Sequence, residues 1–278
     1  MTRHYDDAHT RQAAFDGLLE EMGSVLVAFS GGVDSAYLAV RAHHVLGARS
    51  LAVTADSASL AEPQRQMVHR VTTDFGLVQR WVHTRELDVP DYRANGPDRC
   101  YHCKSELFRQ LLPLAQAEGL RHVAYGLVVD DLTDFRPGQR AAAAAGVRSP
   151  LAEAELSKQH VRLLSRGMGL PTWDQPASPC LASRIPYGTA VTPAVLRRVE
   201  RAEAALHALG LRELRVRHLG STARVELAAQ ELALSADPSL RRHIEQRVRA
   251  AGYENVIIDR EGYRRGRLNE ALGRVRSS

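Results

Sequence analysis

The sequence predicts an α/β protein: a doubly wound parallel sheet followed by a smaller α+β domain. Three observations carry this. Short apolar runs recur between residues 24 and 127, each followed by a stretch with helical spacing or a turn. A loop of glycine and serine, SGGVDS, lies between the first apolar run and the first helix after it. Near residue 171 the alternation stops in a proline-rich segment, and a different order of elements follows. Strands that alternate with helices form right-handed βαβ units, and these build a parallel sheet.

The elements follow in order. Residues 8–22 have the spacing of an amphipathic helix. SVLVAF (24–29) is a short apolar run suited to a strand buried on both faces. After the loop, a helix is expected from Ala36 to Leu46, a strand over 49–55, and a helix over 62–76 that stops at Gly76. VQRWVHT (78–84) is a third strand, and 85–99 is rich in turn formers. A helix carries YHCKSELFRQLLPLA, with Pro113 inside it or at a break, and RHVAYGL (121–127) is a fourth strand. A polar loop, VVDDLTDFRPG, leads into an alanine-rich segment at 139–146.

Residues 1–172 are thus read as the first domain and 173–278 as the second. The segment 171–189 holds four prolines and has no period, so it is expected to be a linker that carries function. Beyond it the pattern predicts a helix (193–209), strands near 212–218 and 222–228, a helix near 238–251 and a strand at 255–260.

Composition narrows the function classes. The 278 residues are 44% hydrophobic and 25% charged, which is ordinary for a soluble globular protein. No apolar run approaches the ~18 residues of a membrane span. The first twelve residues include acids and no apolar core, against a secretory signal. Three cysteines in a chain of this length do not make a disulfide framework, so a reducing cytoplasm is expected. The net charge of +5 favours an anionic ligand. No run of five or more Lys or Arg marks a nucleic-acid tail, and nucleic acid is disfavoured as a partner.

SGGVDS is where chemistry first shows. It places Ser30, Gly31, Gly32, Val33, Asp34 and Ser35 between a strand and a helix. Glycines let the backbone turn and approach a ligand, and the open N–H groups of a helix start favour an anion. The loop lacks the lysine of a G-x-x-x-x-G-K-[ST] motif and is not G-x-G-x-x-G. Asp34 is a candidate Mg²⁺ ligand beside phosphates, or else a plain acid in a first helical turn. Ligands of open α/β sheets bind beyond the carboxyl ends of strands. That rule places Asp56 and Ser57 beside a bound ligand, and Gly126 with Asp130, Asp131 and Asp134 at the mouth, the three acids there or else simply solvated.

Cys100 and Cys103 form C-x-x-C, and Cys180 stands alone in SPCLASRIPYG. A zinc site that adds His102, a redox pair with Cys180 idle, a three-cysteine [4Fe–4S] cluster, and apolar helix positions all remain open. Cys180 has Ser183 and Arg184 close by, and a neighbouring arginine favours the thiolate.

S-G-G-x-D-S after a buried strand resembles the pyrophosphate loop of the PP-loop ATPases, the adenine nucleotide alpha hydrolase-like fold. There the loop holds the β,γ-phosphates while ATP is split to AMP and pyrophosphate. SGGVDSAYLA, PDRCYHCKSELF, DDLTDFRPG, SPLAEAELSK and ASPCLASRIPYG together resemble the LarE family, the ATP-dependent sulfur transferases of nickel-pincer cofactor synthesis. The resemblance covers nearly the whole chain. It implies adenylation of the carboxylates of pyridinium-3,5-biscarboxylic acid mononucleotide and their conversion to thiocarboxylates.

One form of the family sacrifices the sulfur of the cysteine that matches Cys180. The other has all three cysteines and resembles this chain. That form implies a [4Fe–4S] cluster on Cys100, Cys103 and Cys180, with sulfide as donor from a source not named by the sequence. The resemblance also implies substrate-binding roles for Arg184, Arg215, Arg217, Glu226 and Glu203, the last within one helical turn of Glu200. Arg215 and Arg217 lie two apart on a strand and so on one side, suited to a carboxylate or phosphate. A homo-oligomer is expected on the same ground. Two other functions stand beside this one: a tRNA thiolase of the same superfamily, and a nucleotide sensor or carrier without catalysis.

Overall fold

A computed structural model describes residues 2–132, 137–176 and 178–264. The chain divides into two compact units. The first comprises Met1–Glu86 with Cys100–Ser178, and the second Leu87–Arg99 with Pro179–Ser278.

The first unit is built on four strands: β1 (Val25–Ala28), β2 (Ser50–Asp56), β3 (Gln79–His83) and β4 (His122–Tyr125). All are parallel, in the order β3-β2-β1-β4. The apolar runs have no alternation because both faces are covered. Val25 and Val27 point into one core with α1 (Thr2–Met22), α2 (Val33–Leu46), α3 (Glu62–Asp74) and α8 (Lys158–Gly167). Leu26 and Ala28 point into the other, with α5 (Arg99–Ala117) and α6 (Pro137–Ala144). The doubly wound parallel sheet expected from the sequence is therefore present.

Several elements differ from the expectation. Pro113 lies inside α5 and does not end it. Two helices between 146 and 171 were not anticipated: α7 (Pro150–Glu153) and α8. The signal for α8 is a capping box in which His160 takes the place of the usual Glu or Gln. The Ser157 side chain accepts from the His160 N–H, and His160 Nδ1 accepts from the Ser157 N–H. The turn-rich stretch contains a short helix, α4 (Pro90–Ala94).

In the second unit, α9 (Pro193–His207) and α11 (Pro238–Ala250) pack on one face of a three-stranded sheet. Its strands are β5 (Leu214–Leu219), β6 (Thr222–Leu227) and β7 (Asn255–Ile258), in that order. β5 and β6 are antiparallel, while β6 and β7 are parallel. A short helix, α10 (Ala229–Leu234), was not anticipated. The segment read as a linker is in part a packed turn: Leu181, Ala182, Arg184 and Ile185 are buried. Prolines had hidden the apolar residues that anchor it.

The strand order places β2 on one side of β1 and β4 on the other. The crevice of an open sheet lies at this switch, outside the carboxyl ends. There Gly126, just after β4, meets the start of α2. A Cβ on Gly126 would lie 2.7 Å from the Ser35 nitrogen and 2.9 Å from the Asp34 carbonyl carbon. Both are backbone atoms and neither can swing aside. Gly126→Ala should therefore lower stability by about 1–3 kcal/mol through overpacking. A chemical-denaturation midpoint equal to that of the parent chain would show that the two loops can part freely.

Candidate functional site

The loop after β1 is closed on itself. Gly31 has φ 76°, and a Cβ there would meet the Gln64 carbonyl oxygen at 3.0 Å and Val68 Cγ2 at 3.1 Å. Conformation and space both require glycine. The Ser35 hydroxyl accepts from the Ser30 N–H at 3.1 Å and donates to the Gly32 carbonyl at 3.1 Å. The Ser30 hydroxyl lies 3.1 Å from that of Ser35. Gly32 is the N-cap of α2, with no side-chain cap, and Val33 is the first helical residue. The first turn of α2 thus keeps the orphan N–H donors that suit an anion.

Asp34 projects from that turn. Its Oδ2 pairs with Lys158 Nζ, while its Oδ1 is buried with no hydrogen-bond partner. Lys158 opens α8, and its backbone N–H donates to Asp130 Oδ2 at 2.7 Å. Asp130 is therefore an anchor for α8. Asp131 is buried, and Asp134 lies outside the described residues. Sequence reasoning found that the loop has no lysine but missed the one that α8 supplies. Its signal was the serine N-cap in SPLAEAELSK.

At the ends of β2 and β3 the polar groups pair off. Asp56 Oδ1 lies 2.6 Å from Arg65 Nη1. The Ser57 hydroxyl donates to Glu86 Oε1 and accepts from the Ser59 N–H at 3.0 Å. Glu86 is buried, and its Oε2 has no hydrogen-bond partner. Nearby, Glu106 accepts from the Arg85 N–H and from Arg109 and Gln110. Burial alone would raise the Glu106 carboxyl, but these donors hold it below its usual range. Arg65 and Glu86 were not singled out from the sequence.

Cys100 and Cys103 lie in the first two turns of α5, three apart and so on one helix face. Cys100 is exposed and Cys103 half-buried. Cys180, also half-buried, precedes the short turn Leu181–Arg184 in the second unit. Among the described residues, no group of three or more His, Cys, Asp or Glu is arranged to hold a metal ion.

Arginines dominate the polar part of the second unit. Arg184 is 2% exposed and grips Glu203 through two parallel bonds, Nε to Oε1 and Nη2 to Oε2, both 2.9 Å. Its Nη1 donates to the carbonyls of Pro179 (2.5 Å) and Cys180 (3.2 Å) and to the Ser183 hydroxyl (3.0 Å). Glu203 Oε1 also accepts from the Val216 N–H at 2.9 Å, which satisfies a donor of edge strand β5. Glu203 is thus the buried acid of α9, and Glu200 is only partly covered.

Arg215 and Arg217 share one face of β5, opposite Glu226 and Arg224 on β6. Arg217 Nε donates to Glu226 Oε2 at 2.9 Å, and Nη1 donates to the Ser183 carbonyl at 2.8 Å. Arg224 lies 3.5 Å from Glu226 and 3.7 Å from Asp259. Arg215 stacks over the Tyr263 ring at 4.9 Å. Burial, then the charge of Arg184, lowers the Arg215 guanidinium from its usual value. Arg224 and Asp259 escaped the sequence reading because strand register alone reveals them.

Burial would raise the Glu203 carboxyl, but the charge and hydrogen bonds of Arg184 hold it below its ordinary value. A carboxyl with a depressed folded value stabilises fully above its unfolded value of about 4.3, and the gain is lost as pH falls through the folded value. Melting temperature should therefore fall as the medium is acidified below about pH 4. Glu203→Gln should remove this acid-side contribution and lower stability at pH 7 by about 3 kcal/mol, because Arg184 stays buried without its counter-charge. Thermal melts across pH would check both; parallel profiles for the two chains would contradict the assignment.

No protein-family model matches the chain. It is 43% identical over 252 residues to an uncharacterized protein of Synechocystis sp., covering 91% of this chain and 94% of that one. It is 32% identical over 264 residues to the pyridinium-3,5-bisthiocarboxylic acid mononucleotide synthase of Lactiplantibacillus plantarum, covering 95% of each. A weaker likeness, 26% over 161 residues, links about half of it to one of the subunits of a glutamine-hydrolyzing GMP synthase from Archaeoglobus fulgidus.

Proposed function

Because the chain belongs to the family of pyridinium-3,5-bisthiocarboxylic acid mononucleotide synthases, we propose that it carries out their reaction through ATP-dependent adenylation. The substrate is the pyridinium-3,5-biscarboxylic acid mononucleotide, and the carboxylates become thiocarboxylates. The named relative favours this small-molecule reading over a tRNA thiolase.

The observation that carries the reading is Asp34. It stands in an uncapped helix start, one carboxylate oxygen on Lys158 and the other buried without a partner. Such an oxygen suits Mg²⁺, a hard cation that is bound through one or two carboxylates plus phosphates. In this reading Ser30–Ser35 cradle the pyrophosphate end of ATP, with Lys158 as the cation the loop lacks. Asp56, Ser57 and Gly126 border the adenosine. A substrate carboxylate oxygen attacks the α-phosphorus, and pyrophosphate leaves with the electron pair of the broken P–O bond. A sulfur nucleophile then attacks the acyl carbon, and AMP departs. Arg215 and Arg217 bind the anionic substrate. Arg184 and Glu203 hold the Cys180 turn and Ser183 beside it.

Three thiolates form a soft donor set, and by the family resemblance Cys100, Cys103 and Cys180 would hold a [4Fe–4S] cluster. When bound, such a cluster would supply the sulfide that spares Cys180 from sacrifice.

Two measurements test the proposal. Pyrophosphate release should depend on the mononucleotide and fall on the order of 10²-fold in Asp34→Asn or Lys158→Met, which lose transition-state charge stabilisation. Release that does not require the mononucleotide would defeat the substrate assignment. Protein purified without oxygen should hold about four irons per chain, lost on replacing any of the three cysteines. An iron-free chain whose Cys180 loses H₂S during turnover would indicate the sacrificial route.

A further inference from the structure

Leu87–Arg99 lies between β3 and α5 in sequence yet belongs to the second unit. Its polar groups converge on the backbone that follows Cys180. Asn95 is fully buried, with φ 57° and ψ 45°. Its side-chain nitrogen donates to the carbonyls of Ile185 (3.3 Å), Pro186 (2.8 Å) and Thr189 (2.8 Å). Its own carbonyl accepts from the Gly188 N–H at 3.1 Å, and that of Arg93 accepts from the Val191 N–H at 2.9 Å.

Arg99 completes the clamp. It is 3% exposed, and its Nη1 donates to Asn95 Oδ1 at 2.5 Å and to the Ala182 carbonyl at 2.8 Å. Arg99 is also the first residue of α5 and directly precedes Cys100.

The residue types are specific. Asparagine enters the left-handed region more readily than most residues. Unlike aspartate, it can donate to carbonyls. A lysine at 99 would keep the charge but lose the planar guanidinium, whose Nη1 donates to both acceptors.

We infer that Asn95 and Arg99 are positioning residues for sulfur transfer, holding the Cys180 turn in the geometry the transfer step needs. The inference rests on the proposed function. Transfer needs the sulfur-bearing site fixed against the acyl carbon, and a misplacement of about 1 Å can cost 10²-fold. Adenylation, assigned to the loop of the first unit, does not draw on this clamp.

The test uses the full chain and the variants Asn95→Ala, Arg99→Ala and Arg99→Lys. Three quantities are read: pyrophosphate release, thiocarboxylate formation, and the iodoacetamide alkylation rate of Cys180 by peptide mass. Thiocarboxylate formation should fall at least ~10-fold in the alanine variants, with pyrophosphate release within about two-fold of the parent. Cys180 should alkylate several-fold faster, and Arg99→Lys should recover part of each effect. Equal losses in both reactions, or unchanged alkylation in folded variants, would overturn the inference. If Asn95→Ala does not fold, the Arg99 pair decides alone. A parent chain that forms no thiocarboxylate would defeat the proposed function, and Cys180 alkylation would still decide the clamp.

Discussion

The carboxyl edge of the first sheet depends on one close approach of two backbones. Gly126, leaving β4, lies against the Asp34–Ser35 peptide at a distance that leaves no room for a side chain. This contact fixes where α2 begins relative to β4, and so where its open N–H groups point. It also sets the direction of Asp34, which in turn pairs with Lys158 and thereby orients the start of α8. A single missing methyl group thus underlies the loop, the acid and the lysine. Gly126 was expected to border a nucleotide; the structure shows that its first duty is to let two loops touch.

The second unit works under a different constraint, the cost of burying charge. Arg184, Arg215, Arg217, Glu203, Glu226 and Asp259 are all buried. A buried ion costs several kcal/mol even after relaxation, and attraction repays this only with good geometry and satisfied donors. Arg184 meets that condition with two parallel bonds to Glu203 and three further acceptors. Arg217 and Arg224 face each other directly across the strands, an unfavourable pair that Glu226 offsets from between them. Hydrophobic residues would fill the same volume at less cost. The arginines are therefore better explained by the geometry they hold than by stability.

The sheet was legible in the sequence because strands covered on both faces read as unbroken apolar runs; β1, β3 and β4 fall within their predicted stretches, and β2 overruns its own only by Asp56. The turn at SGGVDS was legible because glycine and serine there answer to local backbone demands. What was not legible depends on pairings across long separations. Lys158 reaches Asp34 over 124 residues, and nothing near SGGVDS announces it. Leu87–Arg99 was read as turns because α4 is only five residues long and its anchoring lies in Asn95, whose three acceptors are some ninety residues away. The prolines of 171–189 suggested a linker, yet the apolar Leu181 and Ile185 anchor its later part, from Pro179 on, within the second unit. The net +5 favoured an anionic ligand, but composition alone does not reveal that Arg184, Arg215 and Arg217 are buried.

A lysine delivered by a separate helix differs physically from one built into a phosphate loop. Within a loop, a lysine is placed by the local chain and stays close to its ligand whatever the rest of the fold does. Lys158 is placed by Asp130, which holds its backbone N–H, and by the capping box of Ser157 and His160. It rests on Asp34, so neither charge waits exposed in the crevice. A carboxylate held in this way offers its second oxygen in a set direction, and that oxygen already lies buried without a partner. In the proposed function this pair is preorganised for a cation on one side and phosphate on the other, without reorganising at the moment of reaction. The arrangement also makes the Asp34–Lys158 pair answer to the packing of α8 against α1 and α2 through Val161 and Leu164. Core residues far from the loop can therefore tune it, a dependence that a loop lysine would not create.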